Sequence, residues 1–159
     1  MGSRSKIDFA YIAGFLDGDG SLMLQIKKRK DGNRKWRFMA TICFYQDSRH
    51  DKPLRWIRNL IGIGYISHRN DGMTELRING FSNVTMILKT LMPYIKFKNF
   101  QAKAMYRATQ LLSGKKIEQL TKSELIRLAN WMLQVQNHNY VARRKKTKEE
   151  IYSILGVTP

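Results

Sequence analysis

The stretch Phe9-Ala10-Tyr11-Ile12-Ala13-Gly14-Phe15-Leu16-Asp17-Gly18-Asp19-Gly20 constrains the fold of this chain more than any other. It opens at helical spacing, with Ile7, Tyr11, Gly14 and Phe15 in one series and Ile12, Phe15 and Leu16 in another. A glycine inside a helix costs roughly 1 kcal/mol against alanine, so Gly14 beside Ala13 points to a second backbone in close approach. The helix is expected to stop at Asp17-Gly18-Asp19-Gly20, where two glycines free the backbone to turn. Two carboxylates at the negative end of a helix dipole are electrostatically unfavourable. Either they are solvated in an ordinary Asp-Gly turn, or they gather hard oxygen donors for a divalent cation such as Mg2+.

Charge is the second constraint. The 159 residues hold 29 Lys and Arg against 12 Asp and Glu, a net charge of +17. That balance favours a polyanionic partner: nucleic acid, ribosomal RNA or an anionic membrane surface. An apolar fraction of 43% with 11% aromatics excludes a disordered basic tail and suffices for one cored domain. Cys43 is the only cysteine, so no internal disulfide forms, and three scattered histidines do not complete a zinc site. No apolar run approaches the ~18 residues of a membrane span. Residues 1–6 read as a disordered or tag-derived N-terminus without a signal peptide, and 7–159 as a single domain of an intracellular protein.

Past the first helix, residues 21–30 alternate, with Leu22, Leu24 and Ile26 on one face. Residues 35–45 alternate again, with Trp36, Phe38, Ala40, Ile42 and Phe44 apolar. The turn Lys30-Asp31-Gly32-Asn33-Arg34 joins them into an antiparallel hairpin. Pro53 opens a short helix over 54–61, closed by Gly62. Residues 64–69 and 73–79 form a second hairpin around Asn70-Asp71-Gly72. Ser82 is the expected N-cap of a helix ending before Pro93. Helices follow over 98–112, ended by Gly114, then after the capping box at Thr121 and Glu124, then from Thr147 to Gly156. The fold class is therefore α+β, a four-stranded antiparallel sheet with helices on one face and extra C-terminal helices.

The outer sheet face presents Gln25, Lys27, Arg29, Arg37, Thr41, Ser67, Arg69, Glu75 and Arg77, with Glu75 its only acid. It is either a solvated face or a reading surface. Arginine pairs bidentately with guanine, glutamine with adenine, and a β-ribbon fits the major groove. Nine extended residues span about 30 Å at ~3.3 Å each, close to nine base pairs. Arg34 at the end of the hairpin turn and Lys35 at the start of the next strand are also expected to bind DNA, and the run Arg143-Arg144-Lys145-Lys146 is expected on phosphates, adding affinity without specificity.

Ile12-Ala13-Gly14-Phe15-Leu16-Asp17-Gly18-Asp19-Gly20 resembles the nine-residue signature of the LAGLIDADG homing endonucleases. Ala13, Gly14, Asp17, Asp19 and Gly20 match it literally, and a strand-like run follows at once. The resemblance extends over roughly residues 7 to 112, most closely to single-motif members that act as homodimers. It implies a Mg2+-dependent endonuclease, with Mn2+ or Ca2+ able to occupy the sites. Both strands of a long pseudo-palindromic DNA would be hydrolysed across the minor groove, leaving 3′ overhangs. It assigns Asp19 and the Gly18 carbonyl to metal, and Gln46 and Lys98 to catalytic support. Tyr11, Ala13, Gly14 and Asp17 go to the dimer interface, Asp17 as a helix-end residue bonding nearby backbone. A further basic position falls near His50, with Arg49 as substitute. No small-molecule cofactor or membrane is implied; such proteins are commonly intron-encoded, in organelles or prokaryotic cytoplasm. The rival readings are an intron maturase that binds RNA and a non-catalytic DNA-binding regulator, both on the same scaffold.

Overall fold

The structure, a computed structural model, describes residues 5–140 and 144–158. Helix α1 runs from Lys6 to Asp19 and opens with a capping box: the Ser5 hydroxyl accepts from the Asp8 amide, and the Asp8 carboxylate from the Ser5 amide. It ends within the expected Asp17–Gly20 stop, and Gly20 starts strand β1, Gly20–Lys28. Glycine is required at position 20 by space, since an added Cβ would lie 2.5 Å from Leu16 Cδ1 and 2.8 Å from the Leu16 backbone.

Strand β2, Trp36–Asp47, returns antiparallel to β1. Helix α2, Lys52–Ile61, closes on Gly62 in the left-handed region, and β3, Tyr65–His68, and β4, Met73–Asn79, complete the sheet in the order β1-β2-β4-β3. Helix α3, Phe81–Leu91, is entered through Gly80 at φ 95 rather than capped by Ser82, because the chain must reverse directly out of β4. Helix α4, Asn99–Gly114, has Lys98 as its N-cap and carries Gly114 as its last residue, with extended Lys115 ending it. The capping boxes at Thr121 and Thr147 open α5, Lys122–Asn137, and α6, Lys148–Leu155.

Period-two patterning fixes the layers. Leu22, Leu24 and Ile26, with Phe38, Ala40, Ile42 and Phe44, and Leu76 with Ile78, are buried on one sheet face. Helices α1, α3, α4 and α5 supply the facing apolar stripes, and these buried residues form one cluster from Ile12 to Val157. The opposite sheet face is left for other work. No helix among the described residues is long and apolar enough to cross a membrane.

Candidate active site

Asp17 and Asp19 sit two residues apart at the end of α1 and have opposite surroundings. The Asp17 carboxylate is buried and accepts from the backbone amides of Lys96 (2.6 Å), Phe97 (3.2 Å) and Lys98 (3.0 Å). The Lys98 ammonium donates back to the Asp17 carbonyl at 2.5 Å. These contacts let the helix continue to Asp19, because distant donors neutralise its negative end. Asp19 is exposed and, among the described residues, carries none of these bonds. One aspartate ties two segments together, and the other is left open.

Lys98 is half-buried. Burial pushes its ammonium below the ordinary lysine range, and the Asp17 and Asp19 carboxylates pull it partly back. It shares a cleft of about 440 Å³ with Gly18, Gly20, Ser21, Gln25 and Tyr45 and with the segment His138-Asn139-Tyr140. Gly20 pairs with Phe44, so Gln46, two residues on, lies beyond the start of β1 and beside the end of α1. The Gln46 Oε1 accepts from the Asp47 amide at 2.9 Å. Arg49 is bidentate to Asp47, at 3.0 and 2.8 Å, and holds that carboxyl well below the usual carboxylate range. His50 is exposed beside it without such a partner among the described residues.

The cleft also contains residues that local patterning missed. The Tyr45 and Ser21 hydroxyls are 2.9 Å apart, and burial pushes the Tyr45 phenol up to about 12. Continuing the alternation of β2 by one step past Cys43 would have found Tyr45. Asn139 donates to the Leu22 carbonyl at 2.9 Å, and His138 stacks on Phe100. No sequence-local signal links residues 117 positions apart.

The donor set suits a hard cation: an open carboxylate and helix-end carbonyls, all oxygen. Among the described residues, however, no three His, Cys, Asp or Glu side chains converge as a metal cluster.

On the outer sheet face, Lys27 pairs directly with Arg37, a juxtaposition of like charges that is unfavourable without an anion nearby. Gln25 lies opposite Met39, and Arg77 lies between Cys43 and Tyr65. Arg29 and Lys35 continue the ribbon as exposed ends joined through the Arg29 amide and the Lys35 carbonyl, 2.8 Å apart. Ser67 is half-buried opposite Glu75.

Three expectations for this face are corrected. Thr41 is 3% exposed, and its hydroxyl is used by Asn79 at 2.7 Å, so it offers no base contact. Glu75 is buried between Arg69 and Arg77 and accepts from both. Arg34 is half-buried, paired with Glu118 and placed over the Trp36 ring, which withdraws it from the surface. Arg144 and Lys145 are exposed, with Arg144 near Glu150, and Arg143 lies outside the described residues.

The expected dimer surface is also corrected in part. Ile7, Tyr11, Gly14 and Gly18 form an exposed stripe along α1, and a Cβ built on Gly14 meets nothing within 4 Å. Ala13 is fully buried inside its own chain, on the flank that carries Asp17 towards residues 96–98. Neither Ala13 nor the Asp17 carboxylate is available to a partner.

The sequence profile described as LAGLIDADG endonuclease matches residues 12–120. DNA endonuclease I-CvuI of Chlorella vulgaris is 32% identical over 113 residues, 71% of this chain and 70% of that protein. DNA endonuclease I-CreI of Chlamydomonas reinhardtii is 26% identical over 145 residues, 91% of this chain and 86% of the relative. A crystal structure of I-CvuI in complex with the I-CreI target superposes with TM-score 0.84 at 27% identity, covering 97% of this chain and 98% of that one. I-SmaMI bound to cleaved DNA shares the fold at TM-score 0.69 and 21% identity, over 93% of this chain but 47% of its own. With its signature at the end of α1 and a sheet of matching topology, this chain belongs to the LAGLIDADG endonuclease family.

Proposed function

We propose that the chain is a site-specific, divalent-metal-dependent DNA endonuclease working as a homodimer. The observation that carries this reading is the split between Asp17, consumed in holding residues 96–98, and Asp19, left exposed beside Lys98 in a chain of charge +17. An unpaired acid there repels DNA unless a cation bridges it to phosphate. Bound divalent metal, Mg2+ by preference, would activate water and neutralise charge at the scissile phosphate.

The chain's own residues do the rest. Asp19 and the Gly18 carbonyl would hold the metal. Lys98, fixed by the Asp17 carbonyl, sets a positive charge against the charge that develops on the leaving oxygen. Gln46, its Oε1 held by the Asp47 amide, would orient water or phosphate. Arg29, Lys35, Lys27, Arg37, Gln25 and Arg77 follow the duplex, with phosphate contacts setting register and base contacts specificity. A second copy brings a second Asp19, docking along Ile7, Tyr11, Gly14 and Gly18. The exposed stripe and the open space at Gly14 support that docking. A two-fold dimer faces a target of approximate two-fold symmetry, cut on both strands across the minor groove with 3′ overhangs.

The test is cleavage selection from a randomised duplex library with Mg2+. A recurrent, roughly palindromic site cut on both strands is expected. Binding to a defined site without cleavage in any divalent metal would leave a DNA-binding regulator.

A further inference from the structure

The solvent side of α4 and α5, helices whose inner sides lie against the core, forms a groove of about 940 Å³. From α4 it is lined by Arg107, Gln110 and Leu111, and from α5 by Arg127, Trp131 and Gln134, among others. Arg107, Gln110, Arg127 and Gln134 are exposed, and Trp131 is half-buried against the core. No acid lines the groove. Neither arginine takes part in an ion pair among the described residues, which is also true of Arg29, Arg37 and Arg58. The nearest acid on α5 with a structural role, Glu124, is already engaged by Lys115.

Two guanidiniums that share a groove with an indole and amide side chains, with no carboxylate in its lining, suit phosphates spaced around an unstacked base. Guanidiniums take phosphate bidentately. An indole floor accepts the face of any base, but only of a base that is not paired inside a duplex. The groove belongs to the helical layer, whereas the duplex reading surface is the opposite face of the sheet. We propose that the α4/α5 groove is a second nucleic-acid site, which binds a single-stranded polynucleotide segment through Arg107, Arg127 and Trp131. Shared chemistry makes RNA and single-stranded DNA the two sources, and the 2′-hydroxyl separates them.

The test uses the full chain and fluorescent oligouridylate and oligothymidylate of equal length, with a random-sequence duplex as reference, followed by anisotropy at fixed salt. Three variants are compared: Arg107→Gln with Arg127→Gln, Trp131→Leu, and a sheet variant, Lys27→Gln with Arg37→Gln, of equal charge loss. Trp131→Leu keeps an apolar contact to the core, and circular dichroism checks its fold. The groove arginine pair should weaken single-strand binding by about tenfold or more and leave duplex binding unchanged. Trp131→Leu should weaken single strands by about fivefold or more with duplex again unchanged. The sheet variant should show the reverse pattern. Stronger loss with oligouridylate assigns RNA, and equal or stronger loss with oligothymidylate assigns single-stranded DNA. The proposal is overturned if the groove pair leaves single-strand binding unchanged, or if it weakens duplex and single strand equally. Because the sheet variant reports separately on duplex binding, failure here is distinct from failure of the endonuclease reading.

Discussion

Arg77 Nη1 lies 2.9 Å from Glu75 Oε2, on a carboxylate that is only 5% exposed, while Arg69 holds the other oxygen at 3.1 Å. This buried acid thus helps to orient two guanidiniums on the outer sheet face, Arg69 being held also by Asp71 at 2.6 Å. Glu75→Gln keeps the shape and removes the charge that orients them. Preference should relax at one symmetric pair of base positions, by about 1–3 kcal/mol for each arginine that no longer meets its base, with total affinity kept or raised. Binding to a site library reads this; unchanged base preference would assign Glu75 to sheet stability alone.

Asp19→Asn should lower cleavage by about 10²-fold or more while leaving target binding nearly intact, since it removes a metal ligand and no base contact. Asp17→Asn should behave differently. It weakens three backbone hydrogen bonds that join α1 to residues 96–98, so thermal stability falls along with cleavage. Paired melting and cleavage assays on both variants separate the roles. Equal stability loss in the two would make Asp19 structural.

Gly14→Leu should leave the protomer folded, because nothing in the same chain lies within 4 Å of the added carbon. It should shift the protein from dimer to monomer in sedimentation. Gly20→Ala should do the opposite, costing about 1–3 kcal/mol of protomer stability through its clash with Leu16. A wild-type chain that sediments as a monomer both free and on DNA would remove the two-fold model.

The pH profile tests Lys98. Burial holds its ammonium below the ordinary lysine value of 10.5, so the charge is lost at lower pH than in a free side chain. Between those two values the unfolded chain binds more protons than the folded one, so stability rises with pH across that window. Cleavage should fall over the same window, as the positive charge leaves the site. Lys98→Arg keeps its charge and should shift the alkaline limb of the rate profile upward. An alkaline limb at the same pH in both proteins would assign it to another group.

Periodicity and punctuation carried most of the fold into the sequence. Alternation over residues 21–45 placed Leu22, Ile42 and Phe44 inside, and the boxes at Thr121 and Thr147 opened helices where expected. What local reading could not supply was settled by distant partners. The end of α1 depends on amides about 80 residues away, and Thr41 is hidden by Asn79 on a neighbouring strand. Parity says which face a side chain takes; it does not say what lies across from it. Ala13 shows the same limit, since small size fits a close contact either inside a chain or between chains.

Asp17 gives the site a rigidity with its own consequence. It sits one residue from Gly18 and two from Asp19, and it grips the backbone that carries Lys98. Asp19, the Gly18 carbonyl and Lys98 are thereby one rigid casting rather than three adjustable parts. Any tilt or slide of α1 against a neighbouring helix carries all of them together, with their internal spacing preserved. In the dimer proposed above, the distance between two such castings could therefore change as helix surfaces diverge without altering the spacing within either.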